Sequence, residues 1–302
     1  MPFLVNKEDY FLEKFIKPCT EICELFPLEV GDDCAVISSS KDVLVSTDSS
    51  IENRHFPKDL NPYFIAYRSV AIAASDVIAM GSYPAGYLLS ISHPDPTDAW
   101  FKDFAHGIRD FNNLHKTKLV GGDLTKGSLN ICVTVFGEVQ KKILKRNAAE
   151  VNDDIYISNI LGLGREGYKS FLDGDTSIPN QYIQPKLMTK KDVLHLNPLT
   201  NSAIDISDGF LLDLDRLCAA SQKGAEISIT NEILKTDLED VVAGDDYILL
   251  FTANKSNREE IVKILPKSKI VGEIIEGTGL KIKNSLGKEL NFDEFGWDSF
   301  KS

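Results

Sequence analysis

Ala71-Ile72-Ala73-Ala74-Ser75-Asp76-Val77-Ile78-Ala79-Met80 sets one carboxylate in an apolar run. Pro62 opens the surrounding segment and Gly81 follows its end, so residues 62–80 read as one long helix. On that helix Ile72, Ala73, Ala79 and Met80 lie three and four positions from Asp76, and no cationic residue is within helical reach. A carboxylate so placed is costly unless it is paired or binds a metal. The alternative is a polar edge turned to solvent, shared with Ser75.

Working outward, strands and helices alternate. Before the helix, Val43 to Val45 reads as a strand running into Ser46-Thr47-Asp48, with Asp48 at its end. Residues 7–26 read as a helix, which would put Cys19 and Cys23 on one face. After it, Tyr87 to Ile91 is a strand. Asp98 to Leu114 is a helix with Phe101, Phe104, Ala105, Ile108, Phe111 and Leu114 in a 3.6-residue period. Lys118 to Val120 and Ile131 to Val139 are strands around the turn Gly121-Gly122-Asp123. The charged segment 140–152 lacks periodicity and marks a domain boundary, giving domains 1–140 and 141–302. In the second half, strands are expected near 155–158, 226–229, 247–252 and 270–272, with helices near 166–172 and 209–221. The class is α/β or α+β.

A formal charge of -12 argues against nucleic acid as a partner, because phosphate backbones attract basic surfaces. It does not exclude ATP if magnesium bridges carboxylates to phosphates. No apolar run approaches the roughly 20 residues of a membrane span, so no membrane association is expected. No secretory signal is visible. Five cysteines (Cys19, Cys23, Cys34, Cys132, Cys218) without regular spacing fit neither a disulfide framework nor a zinc site. The expected location is cytoplasmic.

The other informative aspartates sit beside strands. Asp123 follows Leu119-Val120-Gly121-Gly122, where two glycines let a backbone approach a ligand. In Ala203-Ile204-Asp205-Ile206-Ser207-Asp208-Gly209-Phe210, the positions Asp205, Ser207 and Gly209 alternate with apolar ones, just before a helix. Ser207 or Asp208 could be only an N-cap. Each aspartate alone could be a turn former. As a set, hard oxygen donors without His or Cys suit magnesium, and converging carboxylates require more than one cation between them. Magnesium in such numbers accompanies phosphates.

Familiar nucleotide motifs are missing. There is no G-x-x-x-x-G-K-[ST] and no H-R-D or D-F-G set. Gly162-Leu163-Gly164-Arg165-Glu166-Gly167 has the dinucleotide-loop spacing, but Pro179 and Pro185 interrupt the βαβ unit that should follow. What remains is that its amides could approach phosphates.

Six segments then occur in an order that resembles the thiamine-monophosphate kinases. They are Gly31-Asp32-Asp33-Cys34-Ala35-Val36, Ser46-Thr47-Asp48 followed by His55-Phe56, Ala73 to Gly81, Val120 to Gly127, Asp205 to Gly209, and Gly244-Asp245-Asp246-Tyr247. The likeness runs to Gly296-Trp297-Asp298. The wider superfamily includes aminoimidazole ribonucleotide synthetase, selenophosphate synthetase and a hydrogenase maturation factor. The resemblance implies a two-domain α/β fold and a homodimer whose N-terminal sheets join into a barrel, with ATP in a cleft at that interface. It implies magnesium ligands at Asp32, Asp48, Asp76, Asp123, Asp205 and Asp208, with Ser46 and Thr47 assisting. It implies catalytic importance for Asp76, Asp123 and Asp208, and the apolar sequence context of Asp76 makes it the choice for a carboxylate shared between metals. Nucleotide contacts are implied at His115, Gly122, Asp123, Arg146 and Ser207, and thiamine monophosphate contacts at His55, Asp245 and Trp297. Three positions depart from the family. His115 stands where Tyr is frequent near the nucleotide, Asp245 where Glu is usual, and Ile248 where Glu is usual.

The expected activity is in-line transfer of the ATP γ-phosphoryl group to thiamine monophosphate. The alternatives are another ATP-using chemistry of the superfamily and a non-catalytic binder of nucleotides or thiamine phosphates.

Overall fold

The computed structural model describes residues 10–27, 37–174 and 180–298. The chain divides into two compact units, Met1–Val77 with Tyr83–Val139, and Ile78–Ser82 with Gln140–Ser302.

The first unit holds a four-stranded mixed sheet of β1 (Val43–Ile51), β2 (Gly86–His93), β3 (Leu119–Lys126) and β4 (Asn130–Glu138), in the order β1-β4-β2-β3. Only β2 and β3 are parallel, and helix α2 (Asp98–His115) makes the crossover that such a pair requires. Thr97 caps α2 by accepting from the Trp100 amide, and Phe101, Phe104, Ile108 and Phe111 are buried beneath it. Helix α1 (Pro62–Ala79) is buried along most of its length.

Three expectations change here. β1 does not end at Val45. Its polar residues continue the ladder, with Ser46, Thr47 and Asp48 opposite Val135, Thr134 and Val133 of β4. A turn-like composition is thus held extended by an apolar neighbour strand. β3 likewise runs through Gly121-Gly122-Asp123 instead of turning. A Cβ at Gly122 would lie 2.0 Å from the Leu89 carbonyl oxygen, so the residue serves close strand pairing. Near the N-terminus, the described part of the expected 7–26 helix is a π turn (Leu12–Ile16) and a 3-10 turn (Lys17–Cys19). Pro18 cannot donate to a continuing helix. Cys19 is therefore buried and Cys23 lies beyond the turn, not on a shared helix face.

The second unit holds a six-stranded sheet of β5 (Asp154–Ile157), β6 (Ser202–Ile206), β7 (Gly224–Ile229), β8 (Ile248–Ala253), β9 (Lys269–Ile275) and β10 (Gly279–Asn284). The order is β10-β7-β9-β5-β8-β6, antiparallel except for β10 with β7. Its helices are α3 (Leu163–Leu172), α4 (Lys190–Leu196), α5 (Phe210–Ser221) and α6 (Arg258–Ile264). Phe210, Leu214 and Leu217 of α5 share one core with Ile155, Ile157, Ile204, Ile206 and Leu250. Tyr156 and Phe251 stack at 4.9 Å in a second core with Leu196, Ala203, Leu249 and Ile261. Apolar packing on both faces explains why β6 and β8 are buried at every position. The expected α/β class holds, with mixed sheets. Helices α4 and α6 were not expected, being short with few periodic apolar positions.

Candidate active site

In the first unit, Ser46 and Asp48 share one face of β1 and Thr47 leaves from the other, as strand geometry requires. Ser46 Oγ donates to Asp76 Oδ2 at 2.5 Å. This joins the middle of β1 to the C-terminal part of α1. Thr47 Oγ1 instead donates to the Val133 carbonyl at 3.2 Å and lies 3.0 Å from Thr134 Oγ1. Its side chain is thus not brought together with those of Ser46 and Asp76. Asp123 is exposed on β3, opposite Ser90. β1 and β3 are the two edges of the sheet. Three strand spacings, roughly 14 Å along the sheet, therefore separate Asp48 from Asp123.

His55 sits just beyond β1, its Nδ1 accepting from the Ile51 amide at 3.0 Å. That bond puts the proton of the neutral ring on Nε2. His115 is only 6% exposed, with Nδ1 2.7 Å from the Tyr83 hydroxyl and its ring 4.4 Å from that of Phe111. Burial pushes its pKa down to about 4, so it is neutral at pH 7. Its ring packs in the interior of the first unit, between Tyr83 and Phe111. Asp32 lies outside the described residues.

In the second unit, Asp205 is buried in β6 opposite Leu249. Neither Ser207 nor Asp208 caps α5, since Gly209 occupies the N-cap position. The turn is organised by Asp213 instead. Its Oδ2 accepts from the Ser207 and Asp208 amides, each at 3.1 Å. Arg216 Nη1 donates to Asp213 Oδ1 at 2.8 Å and to Asp208 Oδ2 at 2.7 Å. Burial pushes the Asp213 carboxyl up to about 6, against the pull of Arg216.

Two further segments are stitched to this turn. The Asp245 amide donates to the Ser207 carbonyl at 2.9 Å, and the Trp297 amide donates to the Asp208 carbonyl at 2.8 Å. Ser207, Asp208, Asp245 and Trp297, all singled out from sequence, are therefore neighbours. Trp297 is half exposed, at 38%. Tyr247 Oη donates to Asp245 Oδ1 at 2.9 Å. Arg146 is exposed in a 3-10 turn whose carbonyl accepts from Ser202 and Ser221.

The glycine loop is not open to phosphate. The amides of Gly162 and Gly164 donate to the two Asp246 oxygens at 2.8 and 2.9 Å. A protein carboxylate thus occupies the N-terminus of α3, where an anion is favoured. Burial pushes the Asp246 carboxyl up to about 7.

Among the described residues, no group of three or more His, Cys, Asp or Glu could by itself hold a metal ion. Of the acids that the resemblance implies, Asp76 accepts from the Ser46 hydroxyl and Asp208 is paired with Arg216. They are divided between the two units. The donors themselves are all oxygen, which fits magnesium and not a softer metal. Asp213 and Arg216 were missed from sequence, and Asp246 stood in the Gly244 to Tyr247 segment without a role. Only the Asp213–Arg216 spacing of three on a helix gave a local signal.

Comparison with known proteins follows this layout. Residues 31–139 match the family described as AIR synthase related protein, N-terminal domain, and residues 151–284 match its C-terminal domain. The thiamine-monophosphate kinase of Buchnera aphidicola subsp. Acyrthosiphon pisum is 34% identical over 302 residues, covering 90% of this chain and 92% of that protein. The crystal structure of thiamine-monophosphate kinase from Stenotrophomonas maltophilia superposes with a TM-score of 0.78 at 26% identity, covering 88% of this chain and 93% of that one. AaThiL complexed with AMPPCP and TMP gives a TM-score of 0.73 at 27% identity, covering 87% and 88%.

Proposed function

We propose the following function from the premise that this chain belongs to the AIR synthase related family and, within it, to the thiamine-monophosphate kinases. The protein transfers the γ-phosphoryl group of ATP to thiamine monophosphate, giving thiamine diphosphate and ADP. The observation that carries this reading is the likeness over nine-tenths of the chain, extending to a relative solved with an ATP analogue and TMP.

Asp32, Asp48, Asp76 and Asp123, with Asp205 and Asp208, are the residues that would hold magnesium, more than one ion. Ser46 would assist through its hydroxyl, whereas Thr47, its side chain on the opposite face of the strand, could assist only through its backbone carbonyl. Bound magnesium supplies charge neutralisation on the phosphates and holds them in line. Asp76 would be the carboxylate shared between ions, and Ser46 fixes its direction. Gly122, Asp123, Arg146 and Ser207 contact the nucleotide. Trp297 stacks on an aromatic ring of the substrate, beside Asp245, and His55 is a further substrate contact. The acceptor phosphate is already an anion at neutral pH, so no strong base is needed. Alignment and electrostatics carry the rate.

Residues 141–302 are the C-terminal α/β domain, and 1–140 is the nucleotide, metal and dimerisation domain. The sheet of this first domain pairs with that of a second copy into a barrel. Among the described residues β1 is an edge of the sheet, with Val45 58% and Ile51 40% exposed, which supports this pairing. No helix among the described residues is long and apolar enough to cross a membrane, and a cytoplasmic location is proposed.

Incubation with γ-labelled ATP and thiamine monophosphate tests the chemistry. Label is expected in thiamine diphosphate, with none trapped on the protein. A labelled protein intermediate, or no thiamine diphosphate, would contradict direct transfer.

A further inference from the structure

The sequence Gly162-Leu163-Gly164-Arg165-Glu166-Gly167 has the form of a phosphate loop, yet both its leading amides are spent on a residue 82 to 84 positions away. That residue, Asp246, is fully buried, and its own carbonyl accepts from Gln181 Nε2 at 2.6 Å. Its two neighbours are strained. Asp245 has φ 68° and Tyr247 has φ 48°, left-handed conformations that side-chain-bearing residues hold only where the surroundings over-determine them.

The surroundings do so from two sides. On one side, the Asp245 and Tyr247 amides donate to the Ser207 and Ile206 carbonyls. On the other, the Asp246 carboxylate is pinned to the α3 N-terminus. The loop also touches Asp245 directly: a Cβ at Gly164 would lie 2.3 Å from the Asp245 carbonyl oxygen and 2.9 Å from its Cβ.

We infer that the glycine loop recognises the protein's own Asp246 in place of a phosphate, and that Asp246 is a positioning residue for thiamine monophosphate. Docked on Gly162 and Gly164, it holds Asp245 at the angle from which Asp245 meets the substrate. Tyr247 completes the arrangement by donating to Asp245 Oδ1. This inference rests on the reading of Asp245 as a substrate contact.

Asp246→Asn keeps the size of the side chain but turns an NH2 toward one of the two amides. Gly164→Ala pushes on Asp245 from the same loop without touching the carboxylate. Gln181→Ala removes one hydrogen bond to the Asp246 carbonyl and is the mildest of the three. In the full-length enzyme, Asp246→Asn and Gly164→Ala are each expected to raise KM for thiamine monophosphate about tenfold or more, a loss of about 1.4 kcal/mol. KM for ATP stays within about twofold of the parent's, a split that a general loss of structure would not produce. Gln181→Ala gives the same split in smaller measure, and so serves if the other two fail to fold. Asp245→Ala is the control for the underlying reading. If it raises KM for thiamine monophosphate while the folded loop variants leave it unchanged, the inference falls and the reading of Asp245 stands. Parallel rises in both KM values would also overturn the inference. If Asp245→Ala leaves that KM unchanged, the reading of Asp245 itself is wrong.

Discussion

Ser46 Oγ lies 2.5 Å from Asp76 Oδ2, a hydrogen bond that ties the edge strand β1 to the C-terminal part of helix α1. The hydroxyl keeps one carboxylate oxygen of Asp76 in a fixed direction. This is the arrangement that a metal-bridging carboxylate needs, since a misaligned ligand loses the benefit of preorganisation.

Asp76→Asn is therefore expected to lower kcat by about a hundredfold or more, with a melting temperature close to the parent's. Ser46→Ala is expected to lower it less and to raise the magnesium concentration needed for half-maximal rate. Steady-state rates across a magnesium titration check both.

Arg216 joins Asp208 to the buried Asp213. Arg216→Ala leaves two carboxylates near one turn without their cation. The variant is expected to melt several degrees lower than the parent in magnesium-free buffer. If Asp208 binds magnesium, adding the ion narrows that gap, because the variant, freed of the competing Arg216 guanidinium, binds it more tightly in the native state than the parent does. Thermal denaturation with and without magnesium measures this.

Gly122 faces the Leu89 carbonyl with no room for a Cβ. Gly122→Ala must spread β2 from β3, at a cost of about 1–3 kcal/mol. Chemical denaturation should show that loss in both the presence and the absence of ATP.

His115 gives a pH dependence of definite sign. Its folded pKa is lowered to about 4 by burial, from 6.5. The unfolded chain then binds more protons between those values, so this residue's contribution to stability is complete above pH 6.5 and is lost as pH falls toward 4. A His115→Gln variant should show a shallower fall of melting temperature than the parent across that window. Equal slopes would contradict a buried, neutral His115.

What the sequence revealed, and what it hid, follows the range of the interactions. Asp76 was legible because its helical neighbours are local and apolar. The period of α2 was legible for the same reason. The extent of β1 was not, because Ser46-Thr47-Asp48-Ser49-Ser50 has turn composition and is kept extended by β4, some 85 residues onward. The glycine loop had the right local shape, but its occupant, Asp246, comes from a distant motif. Asp213 reads as an ordinary helix residue, and its role appears only once the Ser207–Asp208 turn folds over it.

ADP release measured with ATP and magnesium, with and without thiamine monophosphate, tests the central claim most directly. Release should depend on thiamine monophosphate, match thiamine diphosphate formed, and stop when magnesium is chelated. ADP formation indifferent to thiamine monophosphate, or persisting after chelation, would contradict it.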